Sequence, residues 1–263
     1  MVDCAGGKMI DLQQGDCLEL MKYIPDKSID MILCDLPYGT TACKWDNVIP
    51  LDFLWEQYEK IIKPNGQIVL FGSQPFTTTL ISSKIDWFRE EIIWLKNKAA
   101  SGMLAKRRHL KVHENILVFS PSGNYTYNPQ KWKVEEKQFL TQRKTMSMHG
   151  KGNTVYGGFE RQRKPDDGTR NPISVVAYAV PITAAKTKTY SRDIDIRVHP
   201  TQKPVALLEY LIHTYTNEGD TVLDNCMGSG STGVACINTN RNFIGMELDE
   251  RYFNIAKERL EQR

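Results

Sequence analysis

Asp220-Thr221-Val222-Leu223-Asp224-Asn225-Cys226-Met227-Gly228-Ser229-Gly230-Ser231-Thr232-Gly233 is the stretch on which the reading of this 263-residue chain turns. A β-branched apolar run meets a glycine-rich turn and then an apolar helix start at Val234 and Ala235, so the pattern is strand, turn, helix. Gly228, Gly230 and Gly233 match GxGxxG, and a carboxylate, Glu247, closes the next apolar run 19 residues after Gly228. Glycines there let a ligand approach the backbone, and an acid at that distance can accept hydrogen bonds from both hydroxyls of a ribose. Only 30 residues follow Gly233, enough for one further strand and helix. The strand before this loop must therefore pair with strands from earlier in the chain.

Those earlier strands are visible. Short apolar runs at Ile29–Cys34, 66–71, 91–95 and 115–119 precede the loop, and 220–223 and 242–246 flank it. Helical patterns fall between them at 51–62, 205–215, from Ser231, and at 250–261, where Tyr252, Ile255, Ala256 and Leu260 recur at helical spacing. This alternation predicts an α/β fold, a doubly wound, Rossmann-like, mostly parallel sheet with helices on both faces. With 41% hydrophobic residues, the chain can bury a sizeable core without staples. The six cysteines include no CxxC pair, which argues against a zinc ribbon or a disulfide framework, and no metal is expected. No apolar stretch approaches the ~20 residues needed to cross a bilayer, and Met1 to Met9 lacks a signal pattern. A cytoplasmic protein without membrane partners is expected.

The net charge of +3 conceals a division. Between Lys96 and Arg197 there are 20 Lys and Arg against 8 Asp and Glu, which leaves 14 against 23 elsewhere. Such a split suggests a polyanion-binding surface on a more acidic body. Within the basic part, residues 121–197 are rich in Lys, Arg, Thr, Asn, Gly and Pro and show little periodicity, so no core sheet is expected there. Trp132, Tyr125, Tyr127, Phe139, Tyr156 and Phe159 argue against disorder. The expectation is an inserted small domain at 121–197, interrupting a main domain made of 1–120 and 198–263.

Two details bear on the ligand of the glycine loop, which alone would suit NAD, FAD or S-adenosylmethionine. Asp224 ends the strand, where a negative charge would repel a pyrophosphate but could hold the amino group of a sulfonium cofactor. The loop's late position is the second. A further turn, Asp35-Leu36-Pro37-Tyr38-Gly39, leaves the strand at Ile29–Cys34, at the edge where open α/β sheets bind ligands. An exocyclic amino group on a nucleobase is a poor nucleophile because its lone pair is delocalised. Acceptors at Asp35 and at a carbonyl near Leu36 or Pro37 could draw its N–H bonds and aim the lone pair at a methyl donor. Tyr38 offers a flat face for an extruded base.

Together these motifs make the sequence resemble the amino-group (N6-adenine or N4-cytosine) DNA methyltransferases of the β arrangement, a circularly permuted motif order with the catalytic turn first and the cofactor loop last. Six pieces carry the likeness: Gly15-Asp16-Cys17, Asp35-Leu36-Pro37-Tyr38, Phe71-Gly72-Ser73, His199-Pro200-Thr201-Gln202-Lys203-Pro204, the loop from Asp224 to Gly233, and Ile244-Gly245-Met246-Glu247. The resemblance implies that Asp35, Leu36, Pro37 and Tyr38 hold the target base. Asp16, Cys17, Asp35, Phe71, Thr201, Lys203, Asp224, Asn225, Met227, Gly228, Gly230 and Glu247 would hold S-adenosylmethionine, with Asp16 and Cys17 beside its adenine and Thr201 and Lys203 near its carboxylate. Two positions depart from the family pattern: Leu36 stands where proline is usual, and Asn225-Cys226 where Pro-Phe is usual.

The expected activity is methylation of adenine N6 in a base flipped out of duplex DNA. Asp at 35 favours adenine, since the similar N4-cytosine enzymes more often carry serine there. C5-cytosine chemistry would need a nucleophilic cysteine, usually after proline, and no Pro-Cys pair occurs. Lys106, Arg107, Arg108 and Lys111, following the flexible-looking 99–102, would clamp phosphates, while 121–197 would read base edges. Rival readings are an N4-cytosine enzyme, an RNA adenine methylase, a protein-glutamine methyltransferase and a catalytically inactive DNA-binding relative. A homodimer and a cognate restriction endonuclease are further partners compatible with the family, in a bacterial or phage setting.

Overall fold

The computed structural model describes residues 2–4, 8–39, 47–100, 102–133, 169–181 and 202–263. Two units emerge, a larger one of 1–128 and 174–263 and a smaller one of 129–173. In the smaller unit the described strands β7 (Trp132–Lys133) and β8 (Thr169–Arg170) form an antiparallel pair. Phe139, Tyr156 and Phe159, like His199, Pro200 and Thr201, lie outside the described residues.

The larger unit is built on one sheet. Its strands in chain order are β1 (Val2–Cys4), β2 (Lys8–Gln14), β3 (Ile29–Cys34), β4 (Ile62–Gly72), β5 (Phe88–Ala100), β6 (Lys111–Phe119), β9 (Val175–Ala177), β10 (Thr221–Asp224) and β11 (Asn242–Glu247). Their order across the sheet is β1-β2-β11-β10-β3-β4-β6-β5-β9. The pairs from β2 to β4 and the β5–β9 pair are parallel, while β1–β2, β4–β6 and β6–β5 are antiparallel. The helices are α1 (Cys17–Leu20), α2 (Leu51–Ile61), α3 (Phe76–Ser83), α4 (Val205–Tyr215), α5 (Ser231–Asn238) and α6 (Glu250–Glu261). Among the described residues no helix is long and apolar enough to cross a membrane.

Strand periodicity explains why both faces are covered. On β3, Met31 and Leu33 join one core with Leu207, Leu211, Val234 and Leu260 of α4, α5 and α6. Ile32 and Cys34 point the other way and pack with Met21, Leu54, Tyr58 and Leu80 beneath the first three helices. A central strand with no polar face must read as a continuous apolar run, and β3 does. The two faces of a single sheet thus bind both helical layers, the doubly wound arrangement that the alternation of runs predicts.

Three elements depart from the expectation. α3 is a helix despite three consecutive threonines, because Phe76, Thr77 and Leu80 bury one stripe against the sheet. β2 pairs with β11 near the sheet's edge, and on it Ile10 is the one fully buried residue, too little for an apolar run to show. β9, inside the segment expected to hold no core strand, joins the sheet parallel to β5, with Ile93 opposite Val175. Ala99 and Ala100, read as flexible, continue β5.

The close packing of α5 on β11 makes its glycine a sensitive point. A Cβ on Gly233 would lie 2.8 Å from the ring of Phe243 and 2.9 Å from Leu260 Cδ1. Overpacking of this kind costs ~1–3 kcal/mol. Gly233→Ala should therefore lower the urea midpoint without changing the slope, while Gly102→Ala, whose Cβ meets nothing within 4 Å, should leave it within about 0.5 kcal/mol.

Candidate functional site

Sheet topology positions the site before any side chain is considered. From β3 the chain crosses through α2 to β4 on one side, and from β10 it crosses through α5 to β11 on the other. The order reverses between β3 and β10, which are paired in parallel with Val222 opposite Met31 and Leu223 opposite Ile32. Crevices at the carboxyl ends of strands flanking such a switch point are where open α/β sheets bind ligands. A cavity of about 730 Å³ lies there.

Its walls bring the two sequence-derived loops together. Asp35, Pro37 and Tyr38 from the turn after β3, and Asp224, Asn225, Met227 and Gly228 from the loop after β10, all line it. Asp16, Cys17, Phe71, Lys203 and Glu247 line it as well. Leu36 does not, since its side chain is buried in the core with Leu54, Tyr58 and Phe76. Gly230 is likewise absent from the lining. It adopts φ +76°, and a Cβ there would stand 3.0 Å from that of Ala256, so it serves the turn into α5. The cavity also takes residues that sequence reasoning missed, among them Ile49, Gln202, Ser229, Leu248 and Tyr252. Leu248 carried one available signal, an apolar residue directly after the acid that closes β11.

Four of the cavity's acids are each held differently. Asp16 caps α1, accepting from Leu18 N–H at 2.8 Å. Glu247 accepts from the backbone N–H of Gly228 at 2.8 Å and of Asp249 at 2.9 Å, while burial pushes its carboxyl up. Asp224 is 4% exposed and accepts from Thr232 Oγ1 at 2.6 Å and Cys226 N–H at 3.1 Å. Burial outweighs those bonds and pushes Asp224 up to about 7. Asn225 departs from the family pattern with a clear local role: its Oδ1 accepts from Tyr58 Oη at 2.6 Å, and its Nδ2 contacts the sulfurs of Cys17 and Cys226, both at 3.6 Å.

Asp35 occupies a richer setting. Tyr38 Oη donates to its Oδ1 at 2.7 Å, and Lys203 Nζ donates to its Oδ2. Lys203 is 8% exposed, lies 4.9 Å above the ring of Phe71, and has a second carboxylate, Glu114 on β6, at 3.5 Å. Burial opposes the ammonium charge, but Asp35 and Glu114 together hold Lys203 above its ordinary range. Burial raises Asp35, against the pull of Lys203. Tyr38 stacks on Phe76 with ring centroids 5.1 Å apart, so one of its faces is covered.

The basic residues lie beyond the sheet edge. β6 begins at Lys111, four residues before Asn115, which pairs with Gly72 at the end of β4, so the β5–β6 hairpin runs past the carboxyl edge. Lys106, Arg107 and Arg108 are exposed in its turn. Lys111 differs, being half-buried with its Nζ on Ser73 Oγ at 2.5 Å.

A family model described as DNA methylase matches residues 29–258. The chain belongs to the N6/N4 DNA methylase family. This methylase is 28% identical to the DNA adenine methyltransferase YhdJ of Escherichia coli K12, over 97% of this chain and 84% of that protein. It is 26% identical to the type II methyltransferase M.HpaI of Haemophilus parainfluenzae, over 94% and 72% of the two chains. Among solved structures, the M1.HpyAVI–SAM complex superposes with a TM-score of 0.63 at 25% identity, covering 96% of this chain and 99% of that one. The cytosine-N4-specific PvuII methyltransferase reaches 0.62 at 17% identity, over 95% and 86%, a likeness of fold.

The raised titration of Asp224 has a consequence for the stability of this methylase. Between about pH 4 and 7 the folded chain holds a proton there that the unfolded chain has released. The stabilisation is full below about pH 4 and is lost as the pH rises through 7. Urea unfolding of Asp224→Asn should therefore show stability relative to wild type improving from about pH 5 to about pH 8; a constant difference would contradict the raised titration.

Proposed function

We propose that the chain transfers the methyl group of S-adenosylmethionine to adenine N6 of a base extruded from duplex DNA. The observation that carries this reading is the shared cavity: the Asp35 turn and the Asp224–Gly228 loop open onto one space at the switch point. The donor set suits a cationic cofactor without phosphate. Asp16, Asp224 and Glu247 line the cavity, and its lysine, Lys203, is engaged by Asp35 and Glu114. A pyrophosphate would meet repulsion there, whereas the amino group and ribose hydroxyls of S-adenosylmethionine have carboxylates to meet. Asp224 would hold the amino group, Glu247 the ribose, and Asp16 with Cys17 the adenine. When bound, the cofactor supplies an activated methyl group.

The chain's own residues then act on the base. Asp35 accepts an amino N–H, and the backbone carbonyl at Leu36 or Pro37 accepts the other, drawing the nitrogen toward a pyramidal geometry. Tyr38 already fixes the Asp35 carboxylate through Oδ1, and each carboxylate oxygen keeps a second lone-pair direction for an incoming donor. The ring face of Tyr38 not covered by Phe76 stacks the base, an interaction worth ~1–3 kcal/mol. No covalent enzyme intermediate is required. Adenine is favoured by the aspartate at 35 and by the naming of YhdJ as an adenine methyltransferase. Within 121–197, the smaller unit at 129–173 is assigned to target recognition, and the exposed Lys106, Arg107 and Arg108 to phosphate contacts.

Two measurements test these assignments. DNA methylated by the enzyme, digested to nucleosides and weighed by mass spectrometry, should yield N6-methyladenine, and N4-methylcytosine alone would overturn the choice of base. Neutralising Lys106, Arg107 and Arg108 together should flatten the salt dependence of DNA binding by up to about 2.7 in slope, at ~0.9 per lost phosphate contact. An unchanged slope would return the three to a solvated turn.

A further inference from the structure

Glu114 belongs to none of the motifs and does not line the cavity, yet it stands directly behind the Asp35 turn, across Lys203 from Asp35. It sits on β6, which runs antiparallel to β4, so its end of the strand reaches the carboxyl edge where Asp35 emerges from β3. The carboxylate is 16% exposed and lies between two ammonium groups: Lys96 of β5 on Oε1, and Lys203 at 3.5 Å from Oε2. Oε2 makes no hydrogen bond. Lys203 in turn joins Glu114 to Asp35. Asp35, Lys203, Glu114 and Lys96 thus form a line of alternating charge leading inward from the reacting turn.

We propose that Glu114 is a positioning residue for methyl transfer, sharing the Lys203 ammonium with Asp35 and so setting how much negative charge Asp35 offers the target amino group. The physical need is specific. An amine that accepts a methyl group becomes cationic before its proton leaves, so the carboxylate beside it must keep negative charge to offer. An ammonium given wholly to Asp35 would cancel that charge, and no ammonium at all would leave the buried carboxyl prone to protonation. A lysine divided between two acids meets both conditions. The other titratable groups facing this line are Tyr38, Cys34 on β3, Asp224 at the end of β10, and Lys111 on β6.

The proposal rests on Asp35 as acceptor, which Asp35→Asn tests separately: turnover surviving there ends that assignment. The test of Glu114 uses Glu114→Gln, Lys203→Met and the double variant on unmethylated bacterial genomic DNA at saturating S-adenosylmethionine. Glu114→Gln should lower kcat roughly tenfold and move the acid limb of its pH profile to lower pH, because a carboxylate opposing the ionisation of Asp35 is gone. The KM for S-adenosylmethionine should not change. In the Lys203→Met background the same substitution should have no further effect on kcat. A readout without turnover is the carboxyl carbon resonance of Asp35 in the free protein, whose titration midpoint should fall in Glu114→Gln and rise in Lys203→Met. Equal losses of kcat in both backgrounds, or a midpoint that stays put in Glu114→Gln, would overturn the proposal. Should Glu114→Gln fail to fold, the Lys203→Met midpoint decides alone, and its failure to rise overturns the proposal.

Discussion

The parallel pairing of β10 with β3 is the constraint on which the rest depends. Leu223 lies opposite Ile32, joining residues 191 apart in sequence. Both strands are buried on both faces, so a slip of one residue would send every side chain into the wrong core. The register therefore fixes the two ends, and the loops that follow β3 and β10 leave the sheet side by side. Closing so long a stretch of chain is not prohibitive, because each doubling of a flexible loop adds only ~0.6 kcal/mol. A large basic segment can therefore interrupt the sheet without separating the two loops.

Around that fixed point the cavity is organised by charge. Six carboxylates line its walls, and four of them are each restrained by a different device: a helix cap for Asp16, backbone amides for Glu247, a hydroxyl and an amide for Asp224, a tyrosine and a lysine for Asp35. Burying a carboxylate is unfavourable in the free protein, and Asp224 shows this most plainly by its upward shift. Under the proposed reading, stability is given up locally where the amino group of the cofactor would be received.

What the sequence revealed and what it hid follow from burial. Central strands such as β3 have no polar face and stand out as apolar runs, and the two ligand loops were legible because glycine, proline and aspartate at strand ends are chemically conspicuous. β2 and β9 were hidden because a strand near the rim buries few side chains, and α3 because its threonines favour a strand until Phe76 and Leu80 find the sheet. Leu36 and Gly230 lie in the two loops without lining the cavity: the Leu36 side chain belongs to the core, in keeping with a role for its backbone carbonyl alone, and Gly230 makes the turn into α5. Glu114 was invisible for another reason. One acid beside an apolar run reads as a strand end, and its partner Lys203 is 89 residues away, joined to it only through the sheet.

Phe76, stacked on Tyr38 with the ring planes 28° apart, has one more effect. With that side of the phenol covered, a base extruded into the cavity under the proposed reading would have one ring face to meet and would be held on a single side.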